Sequence, residues 1–344
     1  MTVGTDSWRG LSLDGLRLLL VGPGNMGLEY LKTLALLKVP AERLMLVGRR
    51  RAPTAKAAAA FGIPSFTHAG LDALSALPRP SHAIVCVPPQ LLPEACRAVL
   101  ATGCRRILLE KPGALDAGEM AGLAREAARR KAEIFIAYNR RFLPSVRKAR
   151  QLIEQDGGPL TLHVDFTEIE RRLLNDRVMK SWPVAVWERL GIANSIHVLD
   201  LAFHLAGLPA QTKGWREGAL AWHPAGACFA AAGRTRSNAL FTAQAAWNGG
   251  GSWGIEIATR ARRLVLRPLE CLAEQRTGRL DTRLLPLSEE PEGLKPGLQG
   301  LVEAFLRDGQ GREHLCSARE NVDIIRSTER LLGYAGNAES RKRP

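Results

Sequence analysis

A short apolar run followed directly by a glycine-rich turn is the feature that most constrains this fold. Residues 16–21 read LRLLLV, residues 22–27 read GPGNMG, and apolar side chains then recur at helical spacing up to Leu37. A strand, a tight turn and a helix in this order are typical of the first βα unit of a dinucleotide-binding sheet. The glycine pattern alone is weak evidence, because a tight structural turn uses the same residues.

The remainder of the first 140 residues repeats this alternation. Further strand-like apolar runs lie at 43–48, 82–87, 106–110 and 133–138, with helical patterns between them. Such a rhythm predicts a parallel sheet covered on both faces, the doubly wound α/β class. We therefore assign residues 1–140 to a dinucleotide-binding Rossmann domain.

The pattern changes after residue 140. A helix near 144–154 and a strand at 160–167 lead to a helix near Asn194, and consecutive strand-like runs with short turns then follow. Residues 141–344 are predicted to form an α+β domain with a large, mainly antiparallel open sheet and C-terminal helices at 298–307 and 318–333. Helices on one face would leave the other face as a dimer surface, so we expect a homodimer or homotetramer.

The net charge of +14 admits nucleic acid, a membrane surface or an anionic small molecule as a partner. The basic residues are scattered without an aromatic-interleaved stripe, so we expect a solvated arginine-rich surface and no nucleic-acid partner. Neither a secretion signal nor a run of roughly 18 apolar residues is seen, which favours a soluble cytoplasmic protein without a membrane partner. The six cysteines form no C-x-x-C pair and are expected to be reduced.

Each glycine of the turn has a distinct predicted role in holding a dinucleotide. Gly22 permits the tight bend, and Gly24 lets the backbone approach a pyrophosphate. Gly27 allows the helix and the strand to pack closely. The pyrophosphate would lie over the helix N-terminus, where free N–H groups stabilise negative charge.

The end of the second strand predicts which dinucleotide binds. NAD binding uses an acidic residue there to contact the ribose 2′-hydroxyl, but this strand ends in GRRR at 48–51 with no acid. A guanidinium suits a 2′-phosphate, so NADP(H) is favoured over NAD(H), with Arg49 as the first candidate and Arg50 as the second. A solvated basic turn is the alternative.

Three further short motifs follow the glycine turn along the chain. They are E-K-P at 110–112, N-R-R-F at 139–142 and H-x-x-D at 197–200. Together with the glycine turn, they make the sequence resemble the Gfo/Idh/MocA oxidoreductases, the glucose-fructose oxidoreductase and inositol dehydrogenase family, over essentially the whole chain. The resemblance implies a metal-free hydride transfer in which Lys111 and His197 face the nicotinamide and the substrate.

A second, local resemblance concerns the substrate. The stretch ANSIHVLDLAFHLAGLP is similar to a subgroup met among bacterial surface-polysaccharide and unusual-sugar biosynthesis proteins. This suggests a sugar, nucleotide-linked or not, rather than a free polyol.

Independently of the resemblance, the side chains of Lys111 and His197 suit the oxidation of an alcohol. Oxidising a secondary alcohol needs a group that takes the hydroxyl proton and a positive charge near the oxygen. Lys111 lies at the carboxyl end of a strand, where ligands bind in such sheets, although a surface lysine paired with Glu110 is the simpler alternative. Asn194 and Ser195 are good helix caps, so His197 is expected in the first helical turn, where the positive helix end would keep it neutral.

His197, Asp200 and His204 fall on one helix face, a spacing that also suits a metal. No further acid or cysteine cluster supports such a site, so we predict no metal. Asp200 is expected to orient His197 or its helix, and His204 to be a core histidine. Many relatives carry an aspartate four residues before the histidine, where this chain has Ala193. Asn194 cannot act as a base, so a changed substrate and weakened or lost catalysis both stay open.

The predicted contacts form two groups. Lys111 and His197 are the predicted catalytic residues, and the segment 168–193 is interpreted as a lid over the substrate. Ordinary packing of the two tryptophans and structural ion pairs of the 140–141 arginines are the alternatives. Substrate contacts are predicted for Asn194, Asp200, Arg140, Lys180, Trp182 and Trp187. Cofactor contacts are predicted for Gly22, Gly24, Asn25, Met26, Gly27, Arg49, Arg50, Pro88, Glu110, Lys111 and Asn139.

The sequence thus predicts an NADP(H)-dependent oxidoreductase that acts on a hydroxyl or carbonyl carbon of a sugar or sugar derivative. Two alternatives keep the fold. One is a glycosidase that uses a tightly held cofactor for transient oxidation. The other is a non-catalytic NADP-binding sensor or partner protein.

Overall fold

Two units, each built around one β-sheet, make up the part of the chain that the computed structural model describes, residues 15–307, 309 and 311–334. Residues 1–14 lie outside the described residues. The prediction that the N-terminal stretch carries no secretion signal rests in part on them. The strands are β1 (Leu18–Val21), β2 (Leu44–Val47), β3 (Ser65–Thr67), β4 (His82–Val85), β5 (Arg106–Leu109), β6 (Glu133–Ile136), β7 (Thr161–Asp165), β8 (Pro209–Glu217), β9 (Cys228–Thr235), β10 (Leu240–Ala246), β11 (Gly254–Ala258), β12 (Arg262–Leu266), β13 (Ala273–Arg276), β14 (Arg283–Leu284) and β15 (Cys316–Ser317). The helices are α1 (Asn25–Leu36), α2 (Arg51–Ala60), α3 (Leu92–Ala101), α4 (Ala117–Arg129), α5 (Pro144–Gln155), α6 (Glu170–Asn175), α7 (Val184–Trp187), α8 (Ile196–Ala206), α9 (Leu298–Leu306) and α10 (Ala318–Leu332). Within these residues no helix combines the length and apolarity that a membrane crossing needs.

The first unit holds the parallel sheet. Its strand order is β15-β6-β5-β4-β1-β2-β3, with β15 antiparallel to β6 and parallel pairing between the other neighbours. The runs LLLV in β1 and LMLV in β2 are buried at every position, as parallel strands covered on both faces require. The predicted doubly wound Rossmann fold is confirmed.

The chain returns to this first unit near its C-terminus, which the sequence does not reveal. The first unit comprises the described residues of 1–114, 118–142 and 291–321, whereas the sequence places a single boundary at residue 140. Leu298, Leu301 and Phe305 of α9 are buried in the same apolar core as Leu31 of α1. The apolar stripe of α9 predicts a buried helix but not which sheet buries it, because a helical pattern carries no information about its partner.

The second unit is built on an eight-stranded sheet of order β14-β13-β12-β11-β7-β10-β9-β8. Its described neighbours pair antiparallel except β7 and β10, which confirms the predicted mainly antiparallel sheet. Helix α8 packs against β7 and β11, and α5 packs against α8. Along β10, Phe241 and Ala243 are buried while Thr242 and Gln244 are exposed, so the sheet has one packed and one exposed face.

A buried ion network joins three elements of this second unit. Arg262 of β12 binds Asp156 after α5, with Nε 2.8 Å from Oδ2, and Glu274 of β13, with Nη1 2.9 Å from Oε2. Glu274 is only 1% exposed and also accepts hydrogen bonds from Arg276 and Arg283. Burial alone would raise the pKa of both carboxyls, but hydrogen bonds from the surrounding arginines hold both pKa values below their ordinary range.

This network predicts an acid-sensitive contribution to stability. Replacement Arg262→Ala leaves two buried carboxylates short of a partner and should lower the free energy of unfolding by roughly 3 kcal/mol near neutral pH. Because the native pKa values are depressed, the contribution is fully present above the ordinary carboxyl pKa of about 4 and is lost as the pH falls through the native values.

Urea unfolding of the wild type and the variant across an acid series checks this. Arg260→Ala, at the exposed neighbouring turn, is the matched control and should leave stability unchanged. A difference between Arg262→Ala and wild type that stays constant into strong acid would contradict the ion-network account.

Candidate functional site

The glycine turn joins β1 to α1, and two of its glycines are required by the protein itself. Gly22 has a φ of 97° and donates from its N–H to the Val47 carbonyl at 2.9 Å. A Cβ at this position would lie 2.7 Å from the carbonyl oxygen of Cys86. A Cβ at Gly27 would lie 2.2 Å from the carbonyl oxygen of Gly22, so only glycine lets the helix approach the strand this closely.

Gly24 differs from the other two. It precedes α1 in an extended conformation, with φ −84°, and a Cβ there would meet nothing within 4 Å. The described protein atoms therefore give no reason for glycine at this position. The first turn of α1, which begins with Asn25 and Met26, has no side-chain cap and no acidic residue. Its free N–H groups and the open space in front of Gly24 fit the pyrophosphate of a dinucleotide.

Arg49 and Arg50 lie at the carboxyl end of β2, the neighbour of β1 in the sheet. Both are exposed, and in the part of the chain that the structure describes neither side chain forms an ion pair. Gly48 is buried between the strand and α2, since a Cβ there would lie 2.0 Å from Thr54 Oγ1. Two exposed guanidinium groups thus follow β2, the strand that pairs with β1.

The loop after β4 adds Pro88, which is exposed and precedes a short 3₁₀ turn. In the same loop, the buried Cys86 thiol donates to the Gly22 carbonyl at 3.1 Å. Burial raises the pKa of Cys86 well above its ordinary value, with a further rise caused by Glu110. Cys86 is therefore a protonated packing residue that links this loop to the glycine turn.

The E-K-P turn follows β5, and its glutamate is held from α1. The Tyr30 hydroxyl donates to Glu110 Oε1 at 2.6 Å, and both side chains are buried. Burial raises the pKa of Tyr30 and that of Glu110, while the hydrogen bond and nearby lysines oppose the rise at Glu110. Glu110 is therefore a buried support of the turn, and its neighbour Lys111 is half-buried beside it.

Asn321 supports the same turn from α10 and was missed by sequence reasoning. Its Nδ2 donates to the Pro112 carbonyl at 2.9 Å, and its Oδ1 accepts from the Tyr138 hydroxyl at 2.8 Å. Asn321 is completely buried. A lone asparagine in a C-terminal helix gives no sequence signal for this role, because its partners are about 200 residues away.

The residues of the N-R-R-F segment after β6 differ in burial and in their partners. Asn139 is buried and donates from Nδ2 to the Pro296 carbonyl at 2.8 Å. Arg141 is buried and pairs with Glu320 at 2.7 Å, which favours the structural ion-pair alternative for this residue. Arg140 is half-buried.

Lys295 is a second residue that the sequence did not single out. Its ammonium donates to the sulfur of Met26 at 3.1 Å, which brings an exposed positive charge to the first turn of α1. The segment that carries it is fixed through the neighbouring carbonyl of Pro296, the acceptor of the Asn139 amide. Lys295 therefore joins Arg49 and Arg50 as a positive group of the first unit on the glycine-turn side.

In the second unit, His197 occupies the first turn of α8, as predicted. It is 9% exposed, and its ring centroid lies 6.2 Å from that of Trp253. Asp200, one turn later, is buried, and His204 is half-buried. Among the described residues, no group of three or more His, Cys, Asp and Glu side chains is placed to hold a metal ion.

The prediction that Asn194 and Ser195 cap this helix is wrong. The helical backbone already begins in a π-helical turn, Gly191–Ser195, and among the described residues no side chain caps α8. Both side chains instead bind Glu168, a buried carboxylate that follows β7. Because helical residues precede His197, the argument that a free helix end keeps this histidine neutral loses its basis.

The segment 168–193 contains short helices and an aromatic cluster. Trp182 packs edge-on against Trp187 with ring centroids 6.0 Å apart, and Trp187 lies 5.6 Å from Trp222. Trp222 in turn stacks on the buried Trp247 at 5.8 Å. Trp182 and Trp187 are both partly exposed beside this packing, so their predicted sugar contacts stay a prediction, and Lys180 is exposed.

Comparison with known proteins identifies the class of the first unit. Residues 16–138 match a family model described as "Oxidoreductase family, NAD-binding Rossmann fold", the Gfo/Idh/MocA model. The predicted family is therefore confirmed over these residues, and with it the expectation of an NAD(P)-dependent oxidoreductase. A search of curated proteins finds no match.

Solved structures share the fold over most of the chain. A UDP-N-acetylglucosamine 3-dehydrogenase from Acidithiobacillus ferrooxidans is 17% identical, with a TM-score of 0.70 over 92% of this chain and 97% of its own. Levoglucosan dehydrogenase in complex with NADH and levoglucosan is 18% identical, with a TM-score of 0.72 over 93% and 97%. An oxidoreductase from Agrobacterium radiobacter in complex with NAD+, L-tartaric acid and magnesium is 12% identical, with a TM-score of 0.75 over 94% and 97%. At these identities the likeness establishes the fold.

The contrast between Gly24 and Gly27 predicts two different defects. Gly27→Ala forces a methyl group against a backbone carbonyl and should lower the free energy of unfolding by about 1–3 kcal/mol. Gly24→Ala meets no protein atom, so its free energy of unfolding should stay within roughly 0.5 kcal/mol of wild type. It should nevertheless weaken dinucleotide binding, because the methyl group enters the space in front of α1. Urea unfolding and calorimetric titration with NADP+ and NAD+ separate the two effects, and full affinity in Gly24→Ala would contradict the assignment of this space to the cofactor.

Proposed function

We propose that the protein is an NADP(H)-dependent dehydrogenase that acts on a secondary alcohol or ketone of a sugar or sugar derivative. The observation that carries the proposal is the set of ligand-facing features at the carboxyl ends of β1, β2 and β5. These are an open glycine turn, two arginines that form no ion pair with the described residues, and a lysine on a turn held by buried residues. Ligands bind at this edge of open α/β sheets.

The preference for NADP(H) rests on Arg49 and Arg50. A dinucleotide on the glycine turn directs its adenosine ribose toward the end of the second strand, where these guanidinium groups lie. They can bind a 2′-phosphate through charge-assisted hydrogen bonds and stack on adenine. The absence of an acid between 47 and 51 removes the partner that the 2′-hydroxyl of NAD would use.

The sugar substrate is supported by the similar structures and by the sequence of α8. Two of the similar structures are named for dehydrogenation of a nucleotide sugar and of an anhydrosugar. The stretch 193–209 resembles proteins of unusual-sugar biosynthesis. A nucleotide-linked sugar is the finer proposal, and the exposed basic groups of the first unit would favour its anionic diphosphate.

The proposed chemistry gives Lys111 and His197 separate roles. The bound nicotinamide supplies the hydride acceptor in the oxidative direction and the donor in the reductive one. Lys111 places an ammonium near the substrate oxygen and stabilises the charge that develops on it. His197 takes the hydroxyl proton, since Ala193 and Asn194 offer no basic group. Glu110 and Asn321 keep the Lys111 turn in place.

The two catalytic assignments predict large losses of activity. Lys111→Ala and His197→Ala should each lower kcat/KM by about a hundredfold or more, the usual effect of removing an acid–base group. The measurement is the change in reduced nicotinamide with a panel that includes UDP-N-acetylglucosamine and levoglucosan. Lys56→Ala, an exposed lysine on α2, is the control and should retain full activity.

The outcome also separates the proposal from its alternatives. Release of a free sugar without net change in cofactor redox state would favour the cofactor-assisted glycosidase. Tight NADP+ binding without turnover across a broad panel would favour the sensor. Wild-type rates in both variants would refute the catalytic assignments.

The cofactor preference predicts a selective effect of the arginines. Each charge-assisted hydrogen bond is worth roughly 1.5–3 kcal/mol. Arg49→Ala should therefore weaken NADP+ binding by about tenfold or more and leave NAD+ binding nearly unchanged, and Arg50→Ala should act in the same direction. Arg43→Ala, exposed at the opposite end of β2, is the matched control. Calorimetric titration at physiological salt provides the test, and equal affinity of the wild type for NAD+ and NADP+ would contradict the preference.

A further inference from the structure

A buried carboxylate, Glu168, lies beside the start of the helix that carries His197. Glu168 follows β7, is 4% exposed and has partners on the π-helical turn before α8. Asn194 donates from Nδ2 to both of its oxygens, at 3.0 and 3.1 Å, and Ser195 donates from Oγ at 2.6 Å. These three contacts fix two consecutive side chains just before the proposed catalytic histidine.

The chemistry of a carboxylate determines which way the Asn194 amide points. An ionised carboxylate only accepts hydrogen bonds, so the NH₂ group of Asn194 must face Glu168. The carbonyl Oδ1 is then turned away from it, and no donor among the described residues bonds to Oδ1. Asn194 therefore presents an acceptor on the side opposite Glu168.

The exposure of the neighbouring residues shows why this atom can reach a ligand. Asn194 is partly exposed, whereas Ala193 and Ser195 on either side are fully buried. The π-helical turn shifts the angular positions of residues before α8, and such turns often occur at functional sites. Gly191 begins this turn and donates to the Tyr334 hydroxyl at 3.2 Å, and a Cβ there would lie 2.1 Å from Leu332 Cδ1. The turn is thus fixed by packing and exposes residue 194 rather than residue 193.

We propose that Glu168 is a positioning residue that fixes Asn194 so that its Oδ1 accepts a hydrogen bond from a substrate hydroxyl or amide N–H. Asn194 is then the specificity-determining contact, and it selects substrates with a donor at that position. This inference rests on the proposed function, because it assigns the substrate contact of the same site. It also gives the chain an acid beside this helix although position 193 carries alanine.

The proposal predicts a polarity swap. Glu168→Gln introduces an amide that can donate to Asn194, which lets the asparagine rotate and present its NH₂ group outward. KM for the sugar should rise by about tenfold, while kcat changes less, since one neutral hydrogen bond is lost and an unfavourable donor–donor contact is made. In the double variant Glu168→Gln with Asn194→Asp, the new glutamine donates to the new aspartate, which again presents an acceptor.

The double variant should therefore recover KM to within about threefold of wild type, a rescue that a purely structural role does not predict. Glu168→Asp, which keeps the acceptor character, should lose less affinity than Glu168→Gln. Glu170→Gln is the matched control. Glu170 begins α6, two residues after Glu168, and also accepts a hydrogen bond, from Trp222 Nε1 at 2.8 Å, but it has no contact with Asn194 among the described residues.

A second measurement tests the pairing without substrate. The side-chain amide of Asn194, assigned by its disappearance in Asn194→Asp, should exchange slowly with solvent in the wild type and faster in Glu168→Gln. Fast exchange in the wild type would refute the pairing whatever the enzyme turns over. Slow exchange together with an unchanged KM in Glu168→Gln would refute the positioning role. If the Asn194 amide exchanges slowly but the wild type turns over no sugar, the proposed function is contradicted. The positioning role, which depends on that function, is then contradicted as well.

Discussion

The close approach of α1 to β1 at the glycine turn determines the position of Tyr30, the residue that holds the E-K-P turn. Because Gly27 has no side chain, α1 can pack directly against the Gly22 carbonyl. The same approach brings Tyr30, one turn further along α1, within 2.6 Å of Glu110 at the end of β5. The turn that carries Lys111 is thus anchored to α1, so a displacement of this helix would move both the glycine turn and the lysine.

Two buried carboxylates have comparable roles in the two units. Glu110 receives the Tyr30 hydroxyl, and Glu168 receives Asn194 and Ser195. Each carboxylate fixes a residue of a neighbouring element, Tyr30 of α1 in the first unit and Asn194 before α8 in the second. A buried carboxylate is costly unless its acceptors are satisfied, and this cost makes the geometry of its partners well defined. Such residues support a site more rigidly than an exposed ion pair would, because exposed pairs contribute little.

Sequence reasoning predicted the features that depend on local pattern. The glycine turn, the E-K-P turn and the helix with His197 are visible because strand and helix periodicity and short motifs extend over a few residues. The return of 291–321 to the first unit, the edge strand β15 and the role of Asn321 were not visible, because each depends on partners far along the chain. The capping prediction failed for a related reason. Asparagine and serine are equally suited to a helix end and to a buried carboxylate, and only the fold shows that Glu168 lies next to them.

The two units restrict residue identity to different degrees, although the fold they share with solved structures extends over more than nine-tenths of the chain. A dinucleotide turn restricts residue identity directly, because a Cβ at Gly22 or Gly27 would strike backbone atoms that no rearrangement of side chains can move. The proposed role of the second unit is to supply a histidine on a helix with polar groups around it, and many residue combinations can do this. An acceptor can come from an aspartate on the helix or from an asparagine oriented by a glutamate on a neighbouring loop. Recognition of the substrate can therefore change while the fold stays the same. Such a change is hardest to detect in the sequence at residues such as Glu168, which in our proposal orient a substrate contact without making it.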